Sequence, residues 1–381
     1  MALSKIDTTN MIEDVPQSKL DNNINFRNII INGGMDLAQR GTSSTGLTTG
    51  GYRTVDRFNF GIATAGTWTI TQDSTVPTGQ GFAKSTKLDC TTANASLSAG
   101  SELTFFQKIE GQNLQYLKKG TSNAESVTLS FWVRSNKTGT YTAEIFDNDN
   151  SRQISKTYTI SSADTWEKKT ITFAGDTTGA LDNDNAVSFW IFFWLGAGSN
   201  YTSGTLNTSW NSSTTANRVS SSQVNLADST SNEFYITGVQ LEAGEVASDF
   251  EFLPQPVMKN LCHRYCYVPT NEGSSGDGYV FAWGYCSTSS QGIYFMPLPT
   301  LMRSQPTLVL KNTSNALEQG YHNATVTQHN TNVVTRSGTI SSDKNLLLVV
   351  SGASFNAGQG THLRFARQDT DETSFVVDAE L

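Results

Sequence analysis

Short runs of alternating apolar and polar residues, separated by turn-forming residues, constrain the fold of this 381-residue chain more than any other feature. In VTLSFWVR (Val127–Arg134) the Val, Leu, Phe and Val residues point to one side of an extended strand and the residues between them to the other. Further strands are predicted over Gly66–Gln72, Lys87–Thr91, Leu103–Gln107, Tyr141–Phe146, Lys156–Ile160, Glu167–Phe173 and Phe234–Leu241, and later over Tyr279–Tyr285, Ile293–Met296, Thr307–Leu310, Val326–Thr335, Leu346–Val350 and Leu363–Ala366. This spacing predicts β-sandwich or jelly-roll architecture.

Composition favours the same fold class. Ser (42), Thr (49) and Asn (30) together make 121 residues, and these types form helices poorly. Only 16% of the residues are charged, which argues against disorder driven by charge. The run AVSFWIFFWL (Ala186–Leu195) is apolar on both faces, which predicts a central strand that is covered on both sides. We therefore predict an all-β protein.

Proline positions divide the chain into segments. Only two of the eight prolines precede residue 250, and the other six lie between Pro254 and Pro306. We predict a short N-terminal virion-attachment segment over residues 1–25, a jelly-roll-like β-sandwich over 26–252 and a smaller β-sandwich domain over 253–381. A short linker helix is predicted after FLPQPV (Phe252–Val257), with Met258, Leu261, Cys262 and Tyr265 on one face.

Charge and hydropathy exclude several classes of partner. The net charge of −8 disfavours nucleic acid, which requires a basic surface. The most apolar stretch, Ala186–Leu195, has about half the ~20 residues that a membrane-spanning helix needs. Residues 1–16 lack the apolar core of a signal peptide, and four cysteines are too few for a disulfide scaffold. We expect a chain made in a cytosol that neither binds nucleic acid nor inserts into membranes.

Sequence motifs of catalytic or cofactor sites are absent, so we predict no enzymatic activity, no cofactor and no metal. Cys262, His263 and Cys266 resemble part of a zinc site, but no second ligand pair lies at the required distance, and small apolar core residues are the preferred interpretation. The two oxygen-rich runs DNDN (Asp147–Asn150) and DNDN (Asp182–Asn185) fit turns between strands, with bound calcium as the alternative.

Aromatic residues indicate where a ligand would bind. Five tryptophans lie in or beside strands and are predicted to be core: Trp68, Trp132, Trp166, Trp190 and Trp194. Trp210 differs, since it lies in the polar loop NTSWNSSTTAN (Asn207–Asn217) and either packs back on the sandwich or faces a ligand. A ring face with neighbouring amides suits sugar recognition, which makes Trp210, Asn207 and Asn211 contact candidates. Tyr321, His322 and His329 form a second set.

An ordered series of motifs resembles tail-fibre-like virion proteins of bacteriophages, especially those that infect marine cyanobacteria. The series runs through FRNIIINGGMDLAQRGTS from Phe26, GGYRTVDRF (Gly50–Phe58), IEGQNL (Ile109–Leu114), SVTLSFWVRSNKTGTY (Ser126–Tyr141), TISSADTWEKKTITFAGDTTG (Thr159–Gly179), FYITGVQLEAGEVASDFE (Phe234–Glu251), LCHRY (Leu261–Tyr265), MRSQPTL (Met302–Leu308) and DAEL (Asp378–Leu381). The resemblance extends over roughly residues 26–381.

The resemblance implies a sandwich like a carbohydrate-binding module followed by a small β-domain that packs as a homotrimer. It also implies a virion structural protein, a tail fibre or receptor-binding protein, which recognises a glycan or receptor on the host cell surface. Residues 1–25 would attach it to other tail or capsid proteins of the virion, after assembly in the host bacterial cytoplasm. A capsid decoration or head fibre is the alternative within this class, and a glycan depolymerase tailspike is the enzymatic one.

Overall fold

The computed structural model describes residues 26–269, 280–310, 317–321, 326–328, 333–336, 342–351, 357–365 and 375–381. The predicted attachment segment (1–25), His322 and His329 lie outside these residues. The chain forms two compact units. Unit 1 contains Phe58–Leu253 together with the segments up to Asp36 and over Thr45–Gly51, and unit 2 contains Pro254–Leu381 with Leu37–Ser44 and Tyr52–Arg57. Two short segments of the predicted 26–252 domain thus belong to unit 2.

Unit 1 is a sandwich of two sheets. The six-stranded sheet contains, in spatial order, β1 (Ser43–Leu47), β4 (Thr67–Asp73), β5 (Ser85–Thr92), β13 (Glu233–Ala243), β7 (Val127–Ser135) and β10 (Glu167–Phe173). The seven-stranded sheet contains β12 (Asn211–Ser212), β9 (Arg152–Ile160), β8 (Gly139–Asp147), β11 (Val187–Ala197), β6 (Glu102–Glu110), β3 (Phe58–Ala63) and β2 (Gly51–Tyr52). The described pairings between neighbouring strands run antiparallel.

The core of unit 1 lies between these two sheets. The predicted inward residues of β7, Leu129, Phe131 and Val133, are fully buried. The Phe131 ring meets Phe193 of β11 edge-to-face, with ring centroids 5.0 Å apart. Each such ring contributes about 1.5–3 kcal/mol on burial. The period-2 pattern of the sequence therefore specifies which face of β7 forms the core.

The motif that begins at Phe26 packs on β13, the last strand of unit 1. Ile29 N donates to Leu241 O at 2.8 Å, and Asn28 Nδ2 donates to Val239 O at 3.1 Å. A Cβ at Gly33 would lie 1.9 Å from Val239 O, so only glycine allows this close approach. The NGG of the motif is thus explained by backbone packing.

Unit 2 is a second sandwich. Its smaller sheet contains β14 (Cys266–Tyr267), β23 (Phe375–Asp378) and β17 (Thr307–Leu310). Its seven-stranded sheet contains β19 (Val326–Gln328), β18 (Leu317–Tyr321), β22 (Gly360–Phe365), β15 (Val280–Thr288), β16 (Gln291–Pro297), β21 (Asn345–Ser351) and β20 (Val333–Arg336). Val377 of the smaller sheet shares one apolar core with Tyr294 and Leu348 of the larger one. The all-β sandwich prediction is confirmed for the described residues.

Two details of the predicted elements in unit 2 are wrong. Val326–Thr335 was predicted as one strand, but β19 and β20 are separate strands at opposite edges of their sheet. The linker helix α2 (Gln255–His263) ends before Tyr265, whose backbone N–H donates to Cys262 O at 2.9 Å. The other described helices of the chain are the single turn α1 (Ser199–Thr202) and short 3₁₀ segments, all in unit 1. Neither α1 nor α2 is long and apolar enough to cross a bilayer.

A buried ion cluster joins the YRTVDR and DAEL motifs within unit 2. Arg57 pairs with Glu380, and Arg40 pairs with Glu380 at 3.3 Å and with Asp378 at 3.0 Å. The Arg57 guanidinium lies 3.4 Å from the centroid of the Tyr265 ring. These motifs therefore have a structural role, since they neutralise each other's buried charges.

Candidate functional site

The outer face of the seven-stranded sheet of unit 1 carries a row of aromatic side chains. Along β11, Ile191, Phe193 and Leu195 point into the core, and the alternate residues Trp190 and Phe192 point outward. The strand register then sets their neighbours: Phe192 lies opposite Phe106 of β6, and Trp190 lies opposite Phe146 of β8. Four rings from three adjacent strands therefore share one outer surface, which we call the aromatic platform.

The rings of the platform lie nearly side by side. Trp190 is inclined by 23° to both Phe106 and Phe192, with centroids 5.3 and 5.4 Å apart, and the Phe106 and Phe192 centroids are 4.9 Å apart. Phe106 and Phe192 are buried beneath, while Trp190 and Phe146 are half-buried. The Trp190 Nε1 atom has no hydrogen-bond partner among the described residues. The platform thus offers a ring surface, and the indole N–H of Trp190 is itself buried.

The platform forms the floor of a groove of about 440 Å³. This volume lies within the range of small-molecule and oligosaccharide-sized pockets. The groove crosses five neighbouring strands and is closed at one side by the loop that carries Arg218. Its lining residues are Gly50, Gly51, Asn59, Phe60, Gly61, Ile62, Glu102, Phe106, Phe146, Trp190, Phe192 and Arg218.

Arg218 is held over the platform by a buried carboxylate. Its Nε and Nη2 atoms donate to the two oxygens of Glu144 at 2.8 and 3.1 Å, and Trp194 Nε1 donates to Glu144 Oε2 at 2.8 Å. Burial raises the pKa of Glu144, although the Arg218 charge opposes this shift. Burial also disfavours the Arg218 cation, but the Glu144 charge outweighs that effect and raises the pKa of Arg218. Glu144 and Arg218 therefore form a buried ion pair.

Glu102 is the second carboxylate of the groove and has different partners. Its oxygens accept hydrogen bonds from the hydroxyls of Thr104 at 3.2 Å and Tyr201 at 3.3 Å. No Lys or Arg among the described residues forms an ion pair with it. Burial, with a contribution from the Glu102 charge, raises the pKa of Tyr201, so this hydroxyl remains a donor. Glu102 thus presents a carboxylate to the groove, and the nearby Arg218 cation that interacts with it is already paired with Glu144.

The tryptophan predictions need correction. Trp68 and Trp194 are fully buried, as predicted for core residues. Trp132, Trp166 and Trp190, however, are only half-buried. For Trp190 the reason is that it lies at the margin of a second, smaller apolar cluster on the outer face of β11, where the groove leaves its ring partly open.

The residues predicted to contact a ligand lie elsewhere. The Trp210 ring packs on Phe189 with centroids 6.0 Å apart, and its Nε1 donates to Ala174 O at 2.7 Å, so it is packed back on the sandwich. Asn207 is buried, and its Oδ1 accepts from Asn217 Nδ2 at 3.4 Å. Asn211 is exposed in β12. None of these three residues is among those that line the groove, and their ligand contacts stay predictions.

For the second predicted set, the structure describes only the backbone of Tyr321, at the end of β18. His322 and His329 lie outside the described residues, so the contacts predicted for this set also stay predictions. The groove residues Glu102, Phe106, Phe146, Trp190, Phe192 and Arg218 were missed. Their one sequence signal was AVSFWIFFWL, because a sandwich strand needs apolar residues on one face only, and rings on the other face indicate a second surface.

The first oxygen-rich turn contains a protein cation. Lys119 Nζ lies 2.6 Å from Asp147 Oδ2, and Asn150 Nδ2 donates to the same oxygen at 3.0 Å. The second turn contacts the first, since Asp182 N donates to Asp149 Oδ2 at 3.0 Å. Within the described ranges no group of three or more His, Cys, Asp or Glu side chains has the geometry of a metal site. These contacts fit the interpretation of both runs as turns.

The cysteines that resembled part of a zinc site are buried in unit 2. Cys262 lies in α2 and Cys266 in β14, both without a disulfide. Burial raises the pKa of both thiols well above its ordinary value. Both residues therefore remain protonated at neutral pH, as core-filling residues do.

No known family model and no curated protein matches the chain. Solved structures similar to it include the enzymatically active domain of tailspike protein 4 of bacteriophage CBA120 (16% identity, 57% of this chain, TM-score 0.30). The chain spans about a fifth of that protein, 21%. Two others are TmCBM61 in complex with β-1,4-galactotriose (10% identity, 57% of this chain and 99% of that one, TM-score 0.28) and the family 11 carbohydrate-binding module from Clostridium thermocellum with a mixed-linked tetrasaccharide (9% identity, 55% and 99%, TM-score 0.26). Similarities this low carry no conclusion about function.

Proposed function

We propose that this protein binds a glycan in the groove of unit 1. The observation that carries the proposal is the aromatic platform, with half-buried Trp190 at its surface and the polar groups of Glu102 and Arg218 beside it. Sugar rings present C–H groups that pack on aromatic faces and hydroxyls that need hydrogen-bond partners. The groove supplies both kinds of contact on one rigid sheet.

The chemistry of the groove supports binding rather than hydrolysis. A glycosidase uses two carboxyl groups, one as proton donor and the other as nucleophile or base. Glu144 is completely buried, and both of its oxygens are occupied by Arg218 and Trp194. Glu102 is then the one carboxylate that lines the groove. We propose that the protein is not an enzyme.

The biological setting that we propose is a bacteriophage particle. The ordered motifs from Phe26 to Leu381 support a tail fibre or receptor-binding protein that recognises a host surface glycan during adsorption. Residues 1–25 would then attach the chain to the virion. A decoration of the capsid remains the alternative.

We further propose that three copies associate through unit 2. The outer face of its larger sheet exposes Trp283, Tyr285 and Phe295, with 62%, 52% and 49% of their surfaces accessible. Trp283 and Phe295 lie directly opposite each other on β15 and β16. An exposed aromatic face of this kind is typical of a surface that another protein covers.

The test of glycan binding is a panel of oligosaccharides on the purified full chain, followed by calorimetry on the members that bind. Trp190→Ala should weaken binding at least tenfold, since a central aromatic contact of this kind contributes about 2 kcal/mol or more and tenfold corresponds to about 1.4 kcal/mol. Trp166→Ala is the matched control: Trp166 is also half-buried with an unpartnered Nε1, but it packs near Tyr235 on the six-stranded sheet. Equal effects of the two substitutions, or no glycan bound by the wild type, would contradict the proposal.

A further inference from the structure

The charges around the aromatic platform bear on which glycans can enter the groove. Two charged side chains line it, Arg218 and Glu102. The Arg218 guanidinium is already neutralised by both oxygens of Glu144, which is completely buried. Its side chain is only 17% exposed and lies within 5.4 Å of the ring centroids of Phe146, Phe192 and Trp194. Arg218 therefore offers N–H donors to a ligand but no net positive charge.

Glu102 is not balanced in the same way. It is partly exposed, and its two described hydrogen-bond partners are hydroxyl groups. The Arg218 cation also interacts with Glu102 but is shared with Glu144, so the three ionised side chains together keep one negative charge. Lys108 Nζ lies 4.3 Å from the centroid of the Trp190 ring, on the far side of the platform from Glu102 along β6, and Lys108 is not a groove-lining residue. A carboxylate can accept about four hydrogen bonds, so Glu102 keeps free acceptor positions for ligand hydroxyls.

We propose that the groove selects an uncharged oligosaccharide and that Glu102 is the residue that rejects acidic sugars. This inference rests on the proposed function. Neutral sugars donate hydroxyl hydrogens to the Glu102 carboxylate, whereas a uronic acid placed on the platform brings a second carboxylate toward it. Like charges in a partly buried site repel more strongly than in water, because the effective dielectric constant is lower.

The length of the groove favours an oligosaccharide over a single sugar. Its lining residues come from β2, β3, β6, β11 and β8, which are consecutive in the sheet. At ~4.8 Å between neighbouring strands, the groove extends for about 19 Å across them. Asn59, opposite Phe106 on β3, adds an amide at the side away from Arg218. Several sugar units can thus contact the platform and the polar groups together.

The experiment compares oligosaccharides that differ only in the carboxyl group: tetramers of β-1,4-glucan with β-1,4-glucuronan, and of β-1,4-mannan with β-1,4-mannuronan, alongside the panel that tests glycan binding. In calorimetry at pH 7 the wild type should bind the neutral member of each pair at least tenfold more tightly than the acidic member. The same ratio is expected between the neutral and the acidic oligosaccharides of the panel. Glu102→Gln should weaken neutral binding severalfold and reduce the neutral-to-acidic ratio at least fivefold. Glu125→Gln, an exposed carboxylate paired with Lys118, should leave the ratio unchanged.

A second measurement on the wild type covers the case in which Glu102→Gln does not fold. Raising the salt concentration from 0.05 to 0.5 M screens charge repulsion, so the ratio should fall toward one. Equal wild-type affinity for neutral and acidic members, or a ratio that neither Glu102→Gln nor salt changes, would overturn the role of Glu102 while glycan binding still stands. No binding by any member of the panel would instead contradict the proposed function itself.

Discussion

Replacing Glu380 by Gln should destabilise unit 2 strongly, because it removes the negative charge that two buried guanidinium groups share. The side chains of Arg57 and Glu380 are 1% and 3% exposed, and that of Arg40 is 6% exposed. Arg40 keeps its pair with Asp378, but Arg57 remains buried over the Tyr265 ring after its ion pair with Glu380 is lost. Removal of one partner of a buried pair costs about 3–5 kcal/mol, and we expect Glu380→Gln to fall in this range.

Urea unfolding measures this loss. With a urea m-value of roughly 2 kcal/mol/M, the midpoint should fall by about 2 M. Hydrogen exchange on peptides that cover β17 and β23 assigns the change to unit 2. The control is Glu125→Gln, because Glu125 and its partner Lys118 are 42% and 53% exposed and such surface pairs contribute about 1 kcal/mol or less. The double variant Arg57→Met/Glu380→Leu should recover much of the loss, since it leaves fewer unpaired charges. A free energy of unfolding for Glu380→Gln within 1 kcal/mol of the wild type, like that of the control, would refute the buried cluster.

Three further predictions concern pH, association and the groove. Burial raises the pKa of Asp56 from its ordinary 3.8 to about 6, so the folded state binds this proton more tightly than the unfolded state; the stability this provides is complete below pH 4 and lost as pH rises through 6. In denaturant titrations, the free energy of unfolding of Asp56→Asn minus that of the wild type should therefore rise by up to about 3 kcal/mol between pH 4 and pH 8. A difference that does not change with pH would contradict the raised pKa of Asp56. By native mass spectrometry the wild type should have a mass of about 124 kDa, three times the 41.4 kDa of one chain. The Trp283→Ser variant should dissociate into monomers, whereas Tyr116→Ser, which changes a residue of unit 1 that is 49% exposed, should remain a trimer. A monomeric wild type would rule out the trimer. Gly61→Val should lower glycan affinity at least tenfold, about 1.4 kcal/mol, because a Cβ at this position would lie 2.2 Å from Thr104 Oγ1 and 3.2 Å from Phe106 Cε1 on the groove floor. The control Gly360→Val has open space around its Cβ and should bind glycan like the wild type. Equal affinities of the two variants would place the ligand outside the groove.

The strands of this protein could be predicted from its sequence where one face is apolar and the other polar. β7 and β10 follow the predicted Val127–Arg134 and Glu167–Phe173 to within one residue, because period-2 alternation reports directly on a half-buried strand. Seven of the described strands were not predicted: β1, β2, β3, β12, β14, β18 and β23. β3 was missed although Phe58 and Phe60 alternate with polar or small residues, whereas β1, β2 and β12 are short or polar and form through pairing with neighbours distant in sequence. Pairing of that kind leaves no local pattern.

The groove could be predicted only in part. AVSFWIFFWL marks β11 as apolar on both faces, but a ring in a core and a ring on a groove floor have the same hydrophobicity. Which of the two applies depends on what covers the outer face, and here the loop with Arg218 covers Trp194 but leaves Trp190 accessible. Glu102 and Arg218 are 116 positions apart in the sequence and meet only through the strand order of the sheet. Trp210 attracted attention because its loop is polar, yet Phe189 and the Ala174 carbonyl provide it with a place on the sandwich.

The most direct test of the account is a crystal structure of the full chain with the tightest-binding oligosaccharide of the panel. We predict sugar rings stacked on Trp190 and Phe146, with a ligand hydroxyl within hydrogen-bond distance of a Glu102 carboxylate oxygen. A ligand bound at Trp210, or on the outer face of unit 2 at Trp283, with the groove free of sugar, would contradict the central claim that the aromatic platform is the binding site.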